Sequence, residues 1–186
     1  MFHRSVELAA DAQSAVSEWL NGNTNAQYCF IGTHGNTDLI GSSSQAGAFV
    51  SWDEVWSWFS PHRLLGGLWL GACKSSSAAE AFSRLLSTQG NVIPYFYGFA
   101  EEIYPPEIEA ILGSLIEFSD ADHLTDLASE LNVLRSAVPG TKVELYYPAA
   151  TRNGAARYVN FDRFEDEVGI TFSEFLDRNG SRGTNR

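Results

Sequence analysis

Ala26-Gln-Tyr-Cys-Phe-Ile-Gly-Thr-His-Gly35 and Gly67-Leu-Trp-Leu-Gly-Ala-Cys-Lys-Ser75 are the two stretches that decide the reading of this chain. Each is a short apolar run, bounded by polar and turn-forming residues, and so reads as a strand buried on both faces. Each ends on a side chain that can do chemistry, His34 in the first and Cys73 in the second. Between them lies a loop rich in Gly, Ser and Asn from Gly35 to Gly47, with room for a small hairpin. Ser51-Trp-Asp-Glu-Val-Trp-Ser-Trp-Phe59 follows, where Ser51 and Glu54 form a capping box that starts a helix.

Working outward, Val6 to Leu20 carries apolar residues at helical spacing and stops at Asn21-Gly22. Ser76 to Thr88 reads as a helix ended by Gly90. Asn91 to Gly98 reads as a third strand, in which Pro94 is tolerable only at an edge or a bulge. Pro105-Pro106 opens a helix to about Phe118, and Leu124 to Ala137 makes another, stopped by Pro139-Gly140. Lys142 to Tyr147 is a fourth strand, Arg157 to Phe161 a further strand, and Thr171 to Arg178 a last helical turn or two. Strands alternating with helices predict an α/β domain with a largely parallel sheet over residues 1–178, followed by a flexible tail, 179–186.

Composition narrows the function. The chain has 186 residues, 44% of them hydrophobic, with five Trp, seven Tyr and twelve Phe, which fits a packed globule. Its formal charge of −11 comes with only two lysines, Lys74 and Lys142, so nucleic acid is an unsuitable partner. No apolar run is long enough to cross a bilayer. The N-terminus lacks the apolar stretch of a secretory leader, and two cysteines make no disulfide framework, so a reducing cytoplasmic compartment is expected.

In parallel α/β sheets ligands bind beyond the carboxyl ends of the strands, where His34 and Cys73 both emerge. If the two strands are neighbours, imidazole and thiol come within reach, and a histidine so placed can take the thiol proton and hold the thiolate. The helix opening near Ser76 would favour the thiolate further. Backbone N–H groups of Gly35 and Cys73 could form an oxyanion hole, with the glycine allowing close approach. Neither a metal-ligand spacing nor a nucleotide-binding or Gly-x-Ser-x-Gly sequence is present, and no cofactor is implied.

A strand ending in His-Gly, followed by one ending in apolar-Ala-Cys-x-Ser, resembles the caspase-like peptidases, the clan that also holds separase, gingipain and metacaspases. Within it the chain is most similar to bacterial CHAT domains, through Gly47, Ser51-Trp52-Asp53-Glu54-Val55 and Leu68-Trp-Leu-Gly-Ala-Cys-Lys-Ser75. The similarity covers roughly residues 26 to 118. The resemblance implies a caspase-like three-layer sandwich with a mainly parallel sheet, and a cysteine endopeptidase acting on a protein or peptide through a His34/Cys73 dyad and an acyl-enzyme. It also implies an acidic residue lining the substrate pocket after the third strand, for which Glu101 and Glu102 are the candidates. The family normally has one or two strands before the histidine strand. Here a helix stands in that place, leaving the histidine strand as an edge or covered by the C-terminal segment or a partner. The alternatives are a caspase-like binding module without turnover, serving a signalling or defence complex with a regulatory partner, and an unrelated flavodoxin-like domain.

Other side chains have plainer readings. Cys29, mid-strand among Tyr28, Phe30 and Ile31, is a core residue, and Trp52, Trp56 and Phe59 share a buried helical stripe. His3, His62 and His123 read as terminal, loop and surface histidines.

Overall fold

The computed structural model describes residues 9–22, 28–41, 49–60, 66–117 and 123–180. His3, His62, Gly47, the start of the helix expected from Val6 and the tail beyond Gly180 lie outside these residues, as does the side chain of His123. The elements are α1 (Ala9–Gly22), β1 (Tyr28–Gly32), β2 (His34–Gly35), β3 (Leu39–Gly41), β4 (Phe49–Ser51), α2 (Trp52–Phe59) and β5 (Gly67–Gly71). A 3-10 turn (Ser75–Ser77) leads into α3 (Ala78–Gln89), then β6 (Tyr95–Phe99), α4 (Pro105–Glu117), α5 (His123–Ala137), β7 (Val143–Ala150) and β8 (Ala156–Asn160). A second 3-10 turn (Phe161–Arg163), α6 (Phe164–Val168) and α7 (Phe172–Gly180) complete the chain.

The main sheet has five strands in the order β1-β5-β6-β7-β8. β1, β5 and β6 are paired parallel, β7 is antiparallel to β6, and β8 is antiparallel to β7, so β7 alone points the other way. Helices cover both faces. On one, Leu68, Leu70 and Phe96 pack with Val55, Trp56 and Phe59 of α2 and Phe82 of α3. On the other, Trp69, Tyr95, Tyr97 and Phe99 pack with Ile111 of α4 and Leu127, Leu131 and Leu134 of α5. The alternation of even and odd positions along β5 and β6 is the period-two pleat sorting side chains between two cores. Every residue of both strands is buried. At about 1.5–3 kcal/mol for each large apolar side chain, this central pair contributes substantially to both cores.

Several expectations hold in detail. Ser51 accepts the Glu54 N–H and the Glu54 carboxylate accepts the Ser51 N–H, the reciprocal capping box. Trp52, Trp56 and Phe59 are buried, as is Cys29.

Others need correction. The third strand starts at Tyr95 rather than Asn91: it is central, and Pro94, which has no N–H for the ladder, stays outside it. His34 does not end β1. Thr33 still donates its N–H to the Gly71 carbonyl (3.1 Å), but its hydroxyl turns to the Gly41 carbonyl (2.9 Å) and the chain leaves for a second sheet, β2-β3-β4. The helical segments from Phe161 to Val168 were not expected; the Asn160 side chain caps them by accepting the Asp162 N–H (2.9 Å). The last helix runs past the expected boundary to Gly180, with Asn179 donating to the Phe175 carbonyl. Among the described residues β1 pairs on one side only, with β5.

Candidate functional site at the carboxyl edge of the sheet

Gly32 and Gly71 face each other in the last rung between β1 and β5, and His34 and Cys73 each lie two residues beyond it. They therefore leave neighbouring parallel strands at the same level. The two segments touch through backbone. A Cβ on Gly35 would stand 2.9 Å from the Ala72 Cβ and 3.0 Å from the Cys73 carbonyl oxygen, so only glycine lets the hairpin lie against the cysteine.

The turn after Cys73 is tightly built. Lys74 is left-handed (φ 56°), the one non-glycine with positive φ among the described residues. That conformation costs a lysine roughly 1–2 kcal/mol, and three contacts offset it. The Lys74 N–H donates to the Glu101 carbonyl at 2.9 Å. The fully buried Ser75 hydroxyl donates to the Leu70 carbonyl (2.7 Å) and accepts the Phe99 N–H (3.0 Å), tying the ends of β5 and β6 together. Gly98 lets the turn settle on β6, for a Cβ there would meet the Ser76 nitrogen at 2.8 Å.

Cys73 is half-buried at the margin of the α4–α5 core. Its Sγ is engaged with Ile103, donating to the carbonyl (3.6 Å) and accepting the N–H (3.5 Å). The Cys73 N–H has no acceptor among the described residues. His34 is exposed, and its imidazole has no hydrogen bond among the described residues. The fold thus brings His34, Gly35 and Cys73 to one edge, with the thiol turned to Ile103 rather than to the imidazole.

Beyond Lys74 opens a cleft of about 440 Å³ lined by Lys74, Glu101, Glu102, Tyr104, Glu107 and Thr141. Its carboxylates are not equivalent. Glu107 is committed to the Tyr104 N–H (2.7 Å) and the Thr141 hydroxyl. Glu102 accepts the Tyr104 hydroxyl at 3.2 Å; that bond and the Glu102 charge raise the phenol above its ordinary range. The Glu101 carboxylate is exposed and has no hydrogen bond or ion pair among the described residues. Of the two residues expected to meet a substrate, Glu101 is therefore the free one.

Cys29 lies on the opposite face of the sheet, in the α2–α3 core, where burial pushes its thiol up to about 12. Both cysteines are free. Among the described residues no group of three His, Cys, Asp or Glu could hold a metal ion, and no helix is long and apolar enough to cross a membrane.

Several residues of this edge escaped the sequence reading: Lys74, Ser75, Ser77, Ile103 and Tyr104. Of these only Ser75 carries a signal, as the last residue of Ala-Cys-x-Ser. Compared with protein-family models, with curated proteins and with solved structures, the chain matches none.

Proposed function

We propose that the chain is a caspase-like cysteine endopeptidase, akin to bacterial CHAT domains, with His34 and Cys73 as its dyad. The observation that carries this reading is the packing of Gly35 against the Cys73 backbone where adjacent parallel strands end. It fixes an imidazole-bearing and a thiol-bearing residue side by side. On peptide binding the thiol leaves Ile103 and gives its proton to His34. The Cys73 sulfur then attacks the scissile carbonyl, and the oxyanion meets the Cys73 N–H and the Gly35 N–H. His34 returns the proton to the leaving amine, and water completes hydrolysis of the acyl-enzyme. The reading takes a protein or peptide as partner, needs no cofactor, and suits a reducing cytoplasm where Cys73 stays a thiol.

The residue before the cut is proposed to be Arg or Lys, because Glu101 offers an uncommitted carboxylate at the cleft lined by Lys74, the residue after Cys73. Arg should be preferred where the carboxylate can take both arms of the guanidinium. Reporter peptides ending in Arg, Lys, Asp or Leu, cleaved by the wild type, Glu101→Gln and Glu102→Gln, test this. Arg preference that falls with Glu101→Gln is expected; Asp preference, or indifference to both substitutions, contradicts it.

A second reading is a binding module of the same fold, serving a signalling or defence complex. It is favoured by the seat of the Cys73 thiol, whose donor and acceptor are both satisfied by Ile103. Absence of turnover on every reporter, with peptide binding retained, would select it.

A further inference from the structure

The dyad proposed above is split between two sheets. His34 belongs to the small β2-β3-β4 sheet and Cys73 follows the large one, so neither ladder alone sets their separation. Beyond the Gly35 contact and the Thr33 N–H on the Gly71 carbonyl, a further backbone carbonyl joins the two. The Thr37 oxygen accepts the Ser77 hydroxyl at 2.6 Å and the Trp52 indole N–H at 2.9 Å. Thr37 lies three residues after His34 and Ser77 four residues after Cys73, so the bond closes a ring of chain around the pair.

We propose that Ser77 is a positioning residue, acting with Trp52 through the Thr37 carbonyl to hold His34 at Cys73. This rests on the dyad reading of the same site. A carbonyl has two lone pairs, and both are used here, one by the nucleophile turn and one by α2. The hairpin end that offers this carbonyl is itself rigid. The Asn36 side chain accepts the Asp38 and Leu39 N–H groups (2.8 and 2.9 Å), and the Asn36 N–H donates to the Leu39 carbonyl (2.9 Å). Trp52 is buried and fixed at the first turn of α2, so its N–H is a stationary donor. Neither Ser77 nor Trp52 reaches the reacting atoms. Their effect passes through the hairpin, where a shift on the order of 1 Å is enough to cost about 10²-fold in rate.

The test is the pH profile of Cys73 alkylation by iodoacetamide on the full chain, read by peptide mass mapping, with buried Cys29 as internal control. At pH 6 an unassisted thiol is almost wholly protonated, so reactivity there reports the imidazole. The variants are His34→Ala, Ser77→Ala, Ser77→Thr, Trp52→Phe and the Ser77→Ala/Trp52→Phe pair. Expected is a roughly 3- to 10-fold slower reaction at pH 6 for Ser77→Ala, with Ser77→Thr close to wild type and the pair close to His34→Ala. Thermal melting of Ser77→Ala and Ser77→Thr should agree, since the bond is at the surface. Wild-type profiles for Ser77→Ala and Trp52→Phe, with His34→Ala altered, overturn the positioning role and leave the dyad standing. A wild-type profile for His34→Ala overturns the dyad reading and this proposal with it. Should the pair not fold, the two single variants decide.

Discussion

Cys29 lies inside β1 and Cys73 two residues past the end of β5, on neighbouring strands of one sheet. Cys29 faces Leu68 across the ladder, among apolar neighbours on both flanks, and burial drives its thiol up to about 12. It therefore stays a neutral thiol at any physiological pH and serves only as a small apolar side chain. Cys73 has left the ladder. The left-handed Lys74 turns the chain, the backbone N–H of Cys73 has no acceptor among the described residues, and a histidine hairpin lies against its carbonyl. The same residue type is made inert or available by its place along the strand. Strand interiors bury chemistry, and carboxyl ends present it.

The sharpest way to break this contrast is to exchange the two thiols for alanine. Cys73→Ala and His34→Ala should each lower kcat/KM on a reporter peptide by about 10³-fold or more, with melting temperature little changed. Cys29→Ala should keep activity and lose about 1 kcal/mol of stability in denaturant titration, as a small cavity does. Equal effects from the two cysteines would abolish the distinction.

The next effect concerns the contact between hairpin and turn. Gly35→Ala must push the hairpin away from Ala72 and the Cys73 carbonyl. Overpacking of this kind costs about 1–3 kcal/mol, and kcat/KM should fall about 10- to 100-fold as His34 moves. Normal kinetics in Gly35→Ala would show that the backbone contact does not position the pair.

Glu130 extends the comparison to a second buried titratable group. It sits on α5 against the sheet, almost wholly enclosed. Desolvation raises its carboxyl to about 7, with a hydrogen bond from Tyr97 pulling the other way. Because the folded value is raised above that of the unfolded chain, the stabilisation is complete below about pH 4. It is lost as pH climbs toward 7, at up to about 1.4 kcal/mol per unit. Denaturant titrations at pH 5 and pH 8 should show the wild type weaker at pH 8, and Glu130→Gln should remove most of that difference. A flat wild-type profile would mean that burial does not govern this group.

The smallest effect is expected at Lys74. Glycine adopts its backbone conformation freely, so Lys74→Gly should gain up to about 1 kcal/mol in thermal or denaturant melts. A loss would mean that the lysine side chain stabilises the turn.

What the sequence made legible follows the range of the forces involved. The capping box at Ser51 and Glu54 is a contact within one turn, and the apolar run at Gly67 shows its burial directly; both were readable. The run at Tyr28 forms the expected strand, but at the sheet edge, where Cys29 is buried, Phe30 and Ile31 are half-buried and Gly32 is exposed. That the histidine and cysteine segments meet at one edge was readable only on the condition that their strands are neighbours, and the β1–β5 pairing meets that condition. The departure of His34 into a second sheet was not readable, since it is decided at Thr33, whose hydroxyl bonds eight residues away to Gly41. The reversal of β7 depends on where α4 and α5 return the chain, which no periodicity records. The Ser77–Thr37 bond spans forty positions and the Cys73–Ile103 contact thirty, so neither leaves a local mark. Lysine is an uncommon choice for a left-handed turn, so residue type gave no warning at Lys74.

The most direct test of the central claim is covalent capture of the nucleophile. The purified full chain, incubated with peptidyl acyloxymethyl ketones bearing Arg, Lys, Asp or Leu next to the reactive group, is read by intact mass and peptide mapping. The account predicts one adduct per chain, on Cys73 and not on Cys29, fastest with Arg and slowed at least about tenfold in His34→Ala. No adduct on Cys73 with any of the four, or equal labelling in His34→Ala, would contradict it.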